Sequence, residues 1–306
     1  MSQSVSHART SVARYNGQSM ISLLMPTYNR EATLPRAINS VLAQTWRDWE
    51  LVIVDDGSTD GTEALVATYT DARIRYVKQA KNQGVTSARN RALDEARGEW
   101  LGMFDSDDEL VPAAVSTLMR VLDDVDPDLD AISCNCSDSQ TGELTGRGLS
   151  RDQWLTVRIS LERARGEHWG IFKKSLVGSR RFDPRIKGYE GLLWNRIHDG
   201  ARWYYVNRGL RIYHTEGSDR LTSNKRADQE RYRAILDFDP EYLDRLRGWS
   251  RSGYRRFMWV AATQLIMAND KPYVDRIVAK LEDEQALRSS IQATRLGWKR
   301  ATKLGI

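Results

Sequence analysis

Trp100-Leu101-Gly102-Met103-Phe104-Asp105-Ser106-Asp107-Asp108-Glu109-Leu110 opens as an apolar run and stops in four acidic residues within five positions. A continuous apolar run reads as a buried strand, so carboxylates stack at its carboxyl end. Such a cluster repels itself unless something positive sits in it. Two readings fit the stretch alone. It is either a solvated acidic turn that ends a strand, or a cradle in which Asp105 and Asp107, one residue apart, hold a hard divalent cation through oxygens.

Upstream, Ile21-Ser22-Leu23-Leu24-Met25 reads as a short strand closed by Pro26, which cannot donate to a ladder. Leu34, Ile38, Val41 and Leu42 share a helical face, with Thr33 as N-cap and Pro35 in the first turn. Leu51-Val52-Ile53-Val54 is an apolar strand buried on both faces, ending in Asp55-Asp56-Gly57-Ser58-Thr59-Asp60. Asp60 reads as an N-cap with Glu63 as its capping-box partner. A helix through Ala64, Leu65 and Ala67, a strand from Arg73 to Val77 and a small-residue helix face of Val85, Ala88, Ala92 and Ala96 follow. The acidic strand is therefore fourth in a β-α-β-α-β-α-β series, which implies right-handed crossovers and a mostly parallel sheet of α/β class, flanked by helices.

In open α/β sheets ligands bind beyond the carboxyl ends of the strands. Three of these ends carry polar clusters, Thr27-Tyr28-Asn29, Asp55-Asp56-Gly57-Ser58 and Asp105-Ser106-Asp107, and all should converge on one crevice. Neither G-x-G-x-x-G nor G-x-x-x-x-G-K-[ST] occurs, so neither a dinucleotide fingerprint nor a P-loop explains it.

The chain's 306 residues, 41% hydrophobic, suffice for one large domain with an appendage or for two domains. Cys134 and Cys136, with four histidines, support neither a disulfide scaffold nor a zinc site, and a reducing cytoplasm is the expected compartment. The net charge is +5, and from Gln285 onward stand five basic residues and no acidic one, so the remainder is neutral. Nucleic-acid binding wants a broad basic face and is disfavoured. Residues 1–19, with Arg9 and Arg14 and no apolar core, read as a loose segment that is not a secretory signal. The apolar-rich run Phe257 to Ala268 is too short to cross a membrane and reads as a buried helix.

Beyond the acidic strand the pattern predicts a helix from Pro112 to Asp124, a strand at Asp130 to Ser133, and a loop near the site from Cys134 to Leu149. It then predicts a helix from Trp154 to Ala164 and strands at His168 to Phe172 and Trp203 to Val206. From Ala227 it is helical, through Tyr254 to Met267, Tyr273 to Leu281 and Leu287 to Lys303. In the last helix Leu287, Ile291 and Trp298 fall on one side, with Arg288, Arg295, Lys299 and Lys303 on a neighbouring stripe. That suits a helix lying on an anionic membrane surface, or one packed on the preceding domain with a solvated basic face.

Five segments carry a family resemblance. Pro26-Thr27-Tyr28-Asn29-Arg30, Ser40-Val41-Leu42-Ala43-Gln44-Thr45, Val54-Asp55-Asp56-Gly57-Ser58-Thr59-Asp60, Asn82-Gln83-Gly84 with Ala88-Arg89-Asn90, and Gly98-Glu99 before Phe104-Asp105-Ser106-Asp107-Asp108 together resemble the family 2 glycosyltransferases of GT-A fold. The likeness covers residues 20 to 115 closely. It implies a nucleotide-diphosphate sugar in the crevice, with a UDP-sugar favoured. Asp56 would meet the base edge, and Pro26, Thr27 and Tyr28 would line the same pocket. Asp105, Ser106 and Asp107 match the D-x-D segment, which meets the ribose and a Mn²⁺ or Mg²⁺ bridging the phosphates. Arg89 would meet a phosphate or form a surface ion pair.

Phe182 to Arg196 is similar to the family segment in which a Glu-Asp pair opens a helix and the aspartate takes the acceptor proton. Here the pair reads Glu190-Gly191, a departure, which leaves Glu190 as the nearest carboxylate for that work or as a first-turn acid favoured by the helix dipole. Ile212 to Leu221 resembles the family's late segment near the diphosphate, with His214 as metal ligand or phosphate donor and Arg220 as phosphate partner.

These readings divide the chain into residues 1–19, a GT-A domain over 20–220 (nucleotide-sugar half 20–115, acceptor half 116–220) and a helical C-terminal region over 221–306. The expected activity is an inverting, metal-dependent transfer to a glycan or lipid-linked acceptor in polysaccharide or glycolipid synthesis, at the cytoplasmic face of the membrane. The rival is a non-catalytic sugar-nucleotide or carbohydrate-binding module. A nucleotidyltransferase would want a basic Gly-rich phosphate loop near the start.

Overall fold

The structure, a computed structural model, describes residues 20–186, 188–215 and 225–303, with residues 225–228 and 298–303 described by their backbone alone. Four strands come first, β1 (Ile21–Thr27), β2 (Trp49–Asp55), β3 (Ile74–Lys78) and β4 (Trp100–Met103), joined by α1 (Leu34–Leu42), α2 (Thr62–Val66) and α3 (Val85–Glu95). All four pair in parallel in the order β3-β2-β1-β4, so the strand order reverses at β1. β1 and β2 are buried along their whole length because helices cover both faces. The small face of α3, with Ala88, Ala92 and Ala96 buried, brings that helix close onto the sheet.

The second half adds β5 (Glu109–Leu110), α4 (Ala114–Asp124), β6 (Ala131–Asp138), β7 (Gln153–Leu155), α5 (Val157–Arg163), β8 (His168–Lys173), α6 (Lys174–Val177), α7 (Gly191–His198) and β9 (Trp203–Tyr213). β8 inserts antiparallel between β4 and β6, and β9 runs parallel to β6. The sheet reads β3-β2-β1-β4-β8-β6-β9-β5, with β7 on the edge of β9.

Five helices follow: α8 (Lys225–Phe238), α9 (Pro240–Trp249), α10 (Arg251–Met267), α11 (Lys271–Ala279) and α12 (Gln285–Lys303). They share an apolar core that includes Tyr242, Leu243, Met258, Leu265, Ile277 and Ile291, and that also takes in Ile186 from the segment before α7 and Leu192 from its first turn. Phe257 to Ala268 thus packs in this core along one face, while Trp259, Val260 and Met267 on its other face are exposed. No described helix is long and apolar enough to cross a membrane.

Several expectations are corrected. β1 runs on through Pro26 to Thr27 instead of closing at the proline. Its Thr27 carbonyl faces β2 and accepts the Asp56 N–H (2.9 Å), while the Leu24 carbonyl faces β4 and accepts from Phe104 (2.8 Å). By that alternation the proline nitrogen faces β4, whose ladder has ended at Leu24 opposite Met103, so no bond is lost. Thr33 occupies the N-cap position of α1, but its hydroxyl reaches the Ser106 carbonyl (3.4 Å) and caps nothing. Asp60 accepts from the Thr62 amide (3.0 Å) and hydroxyl (2.6 Å), while Glu63 is drawn off to Lys78 (2.5 Å), so no capping box forms.

The expected loop from Cys134 begins only after Asp138. β6 carries on because Asn135, fully buried, bonds the Gly146 carbonyl and the Asn207 side chain (both 3.2 Å) and so tolerates the sheet interior. Trp154 lies on an edge strand, and α5 starts only after Thr156, whose hydroxyl accepts the Ile159 N–H (3.2 Å).

Candidate active site

The carboxyl ends of β1, β2 and β4 open on the same edge of the sheet. After β2, Asp55 accepts the Ser58 N–H (2.8 Å) and the Tyr76 hydroxyl, which tightens the turn. Asp56, 2% exposed, accepts the backbone N–H groups of Gln83 (2.8 Å) and Gly84 (2.7 Å). Its carboxylate therefore ties the loop after β2 to the loop before α3, with lone pairs left for a further donor. Gly57 makes the approach possible, since a Cβ there would lie 2.7 Å from the Lys81 carbonyl carbon. Asn29, in the left-handed region (φ 52°), joins the third loop, donating its N–H to Ser58 Oγ and accepting from the Thr59 N–H. Pro26 and Thr27 are buried beside this turn and Tyr28 is exposed; the buried Thr27 hydroxyl has no partner among the described residues.

At the end of β4 the acidic cluster meets arginines. Asp105 lies 3.6 Å from Arg89 Nη2 through Oδ1 and 3.3 Å from Arg211 Nη1 through Oδ2. Arg89 also pairs with Glu190, a contact between residues 101 positions apart. Arg89 is thus no surface residue. Glu190 stands at the N-cap position of α7, and its side chain makes no capping bond, turning to Arg89 instead. Ser106 is buried beneath the turn. Asp107 is 4.0 Å from Arg30, and its backbone carbonyl accepts from Arg36 Nε (2.9 Å). Burial and then the neighbouring Asp105 raise the Asp107 pKa. Asp108 is fully enclosed, and burial pushes it up to about 7 even against Arg211.

His214 donates its backbone N–H to Asp108 (2.9 Å), and its ring Nε2 is 2.7 Å from Glu109. That ring nitrogen is taken, while Nδ1 is buried and without a partner among the described residues. Arg220 lies outside the described residues. Sequence reasoning missed Arg211 and Glu167, which pair at 3.1 Å. The available signal was a lone arginine between Leu210 and Ile212, too apolar a setting for an unpaired charge.

Arg89, Asp105, Glu190 and Arg211 line one cavity of about 320 Å³, together with Trp169, Phe172, Trp194 and Trp203. Ser133 and Gly170 lie in its sheet wall, and Ser160 and Asn195 belong to the helices opposite. Charged groups gathered beside aromatic walls suit a ligand that is both polar and ring-shaped.

Among the described residues no group of three or more Asp, Glu, His or Cys side chains could hold a metal unaided. A Mg²⁺ or Mn²⁺ held by Asp105 and Asp107 would have to take the rest of its shell from ligand phosphates and water, as magnesium commonly does. The raised pKa of Asp107 comes first from burial and only then from the neighbouring Asp105.

Residues 22–175 match the family model described as Glycosyl transferase family 2. The chain is 30% identical over 261 residues (83% of this chain, 77% of the relative) to the GalNAc(5)-diNAcBac-PP-undecaprenol beta-1,3-glucosyltransferase of Campylobacter jejuni. It is 42% identical over 89 residues (29% of this chain, 35% of the relative) to the UDP-Glc:alpha-D-GlcNAc-diphosphoundecaprenol beta-1,3-glucosyltransferase WfgD of Escherichia coli. Among solved structures it resembles residues 1–349 of S. aureus TarS in complex with UDP-GlcNAc (TM-score 0.65, 19% identity, 94% of this chain and 92% of that one). It also resembles the mannosyltransferase PcManGT of Pyrobaculum calidifontis in complex with GDP-Man and Mn²⁺ (TM-score 0.57, 16% identity, 94% and 87%). At these identities the structural likeness is one of fold.

Proposed function

The chain belongs to glycosyl transferase family 2, and from that premise we propose that it moves a sugar, with inversion, from a UDP-sugar to a lipid-linked or polysaccharide-precursor acceptor. The observation that carries this reading is the cavity in which Asp105, Arg89 and Glu190 meet beside aromatic walls. Residues 20–115 would hold the nucleotide and 116–220 the acceptor. Asp56 accepts from the base edge beside Pro26, Thr27 and Tyr28, and Asp105, Ser106 and Asp107 stand at the ribose and diphosphate. A divalent cation held by Asp105 and Asp107 would neutralise charge on the departing diphosphate. Arg89 offers a guanidinium to the same phosphates, with His214 and Arg220 assigned to that side. The acceptor hydroxyl attacks the anomeric carbon, the bond to the diphosphate oxygen breaks, and Glu190 takes the hydroxyl proton.

UDP is favoured because one relative is named for UDP-Glc and a neighbour of like fold was solved with UDP-GlcNAc. Two relatives named for undecaprenol-linked substrates support a lipid-linked acceptor at the inner face of the membrane. The second reading, a binding module without turnover, is favoured by Gly191 standing where the family has aspartate, with Glu190 already engaged by Arg89.

A thermal-shift and product-release screen of UDP- and GDP-sugars with and without Mn²⁺ decides between them. We expect stabilisation by one UDP-sugar and Mn²⁺-dependent release of UDP. Asp107→Ala should abolish metal-dependent turnover, and Glu190→Gln should lower turnover on the order of a hundredfold with donor binding intact. Binding without release in the wild-type chain would leave the module as the answer.

A further inference from the structure

Arg211 sits on β9 between β6 and β5, with its side chain 5% exposed. Its guanidinium faces three carboxylates: Asp105 (3.3 Å from Nη1), Glu167 (3.1 Å from Nη2) and Asp108 (3.4 Å from Nε). Taking a guanidinium out of water costs about as much as its ion pairs return, so a cluster of this kind adds little net stability over apolar residues of the same volume. What the planar fork does fix is direction, because its N–H groups leave in set directions and can span two acids at once.

The three acids are not equivalent. Asp108 is enclosed and held a second time by the His214 N–H (2.9 Å). Glu167 is half exposed at the outer end. Asp105 alone of the three lines the cavity, where Arg89 takes its other oxygen. Glu167, Arg211, Asp105, Arg89 and Glu190 therefore form one series of alternating charge, running from the turn before β8 to the start of α7.

We propose that Arg211 is a positioning residue for the transfer reaction: its fork, anchored from outside by Glu167, sets the direction in which the Asp105 carboxylate meets the nucleoside diphosphate and its cation. This rests on the donor reading of the cavity. A lysine at the same place keeps the charge but acts as a single point, and it cannot hold Asp105 and Glu167 together in fixed directions.

The test uses the full chain, wild type, Arg211→Lys and Glu167→Gln, with calorimetric titration of UDP and of GDP in Mn²⁺, kcat and KM for UDP release, and thermal unfolding. Arg211→Lys should melt close to wild type yet bind the nucleotide about tenfold more weakly and turn over up to about a hundredfold more slowly, as a small misplacement of a reacting group does. Glu167→Gln should move both quantities the same way by a smaller factor. A lysine variant with wild-type affinity and kcat overturns the assignment, as does one that loses only melting temperature. If the lysine variant does not fold, Glu167→Gln decides alone: an increased Mn²⁺ requirement supports the assignment and an unchanged one overturns it. A wild-type chain that takes neither nucleotide removes the donor reading and this inference together, whereas wild-type binding with indifferent variants removes the inference only.

Discussion

Gly57 holds φ at 76° while the loop before α3 presses against it, so no side chain fits on either count. Gly57→Ala forces Lys81 and Asn82 outward and should cost on the order of 2 kcal/mol, read from the urea midpoint. Because Asp56 is tied to that same loop through Gln83 and Gly84, UDP affinity should fall with it. An alanine variant with unchanged midpoint and affinity would mean that the two loops are independent. Side chains here differ in how openly the sequence announces them. Asp105 and Asp107 stand out because an apolar strand ends on them. Arg211 does not, since its meaning lies in three acids brought from elsewhere in the chain.

Among the elements, β1 to β4 and the helices between them are legible because β1, β2 and β4 are apolar runs that need no partner to explain them and β3 falls at the spacing they set. β6 and β9 are legible only at their starts, and β7 not at all. Asn135, Ser137 and Arg211 interrupt the apolar pattern, yet they remain in strands because neighbouring groups satisfy them only once the sheet has formed. α12 shows the same limit. Its amphipathic spacing suits a lipid surface, but Ile291 is buried and Leu287 packs on the helical core, while Arg295 pairs with Asp275 (2.6 Å). Leu296, 61% exposed, stays outside. Removing the helix would uncover that core, so membrane contact is better tested by charge. Replacing Arg288, Lys299, Arg300 and Lys303 with Gln should weaken flotation with anionic vesicles by about tenfold or more, at about 1 kcal/mol for each basic residue near the lipid, and leave melting unchanged. Equal flotation would assign the stripe to solvent.

For the molecule as a whole, half-buried histidines set a pH limit. His198 stacks on Trp203 (centroids 4.0 Å apart), and burial holds its pKa down to about 4, against an ordinary 6.5. Burial lowers His168 as well. The unfolded chain therefore binds more protons between pH 4 and 6.5, and the stability these groups lend is complete above the ordinary value and is lost as pH falls toward 4. For His198 the loss is roughly 3 kcal/mol at about 1.4 kcal/mol per pH unit. The buried Asp108, whose pKa is raised, pulls the opposite way, so the comparison to make is with His198→Gln. Urea midpoints at pH 7.5 and 5.0 should differ less for the variant, and an equal difference would mean that His198 is solvated.

The family match ends at residue 175, before Glu190. Tyr189, just before that glutamate, packs edge-on against Tyr242 (6.1 Å) and Phe257 (6.0 Å), and Leu192, just after it, is sunk among the C-terminal helices. The carboxylate proposed to take the proton is thus moored on two sides, to the bundle through its chain neighbours and to α3 through Arg89. On the proposed reading, a chimera that borrowed its last five helices from a cousin would alter one of the two seats of Glu190 and leave the turn that carries Asp105 as it is.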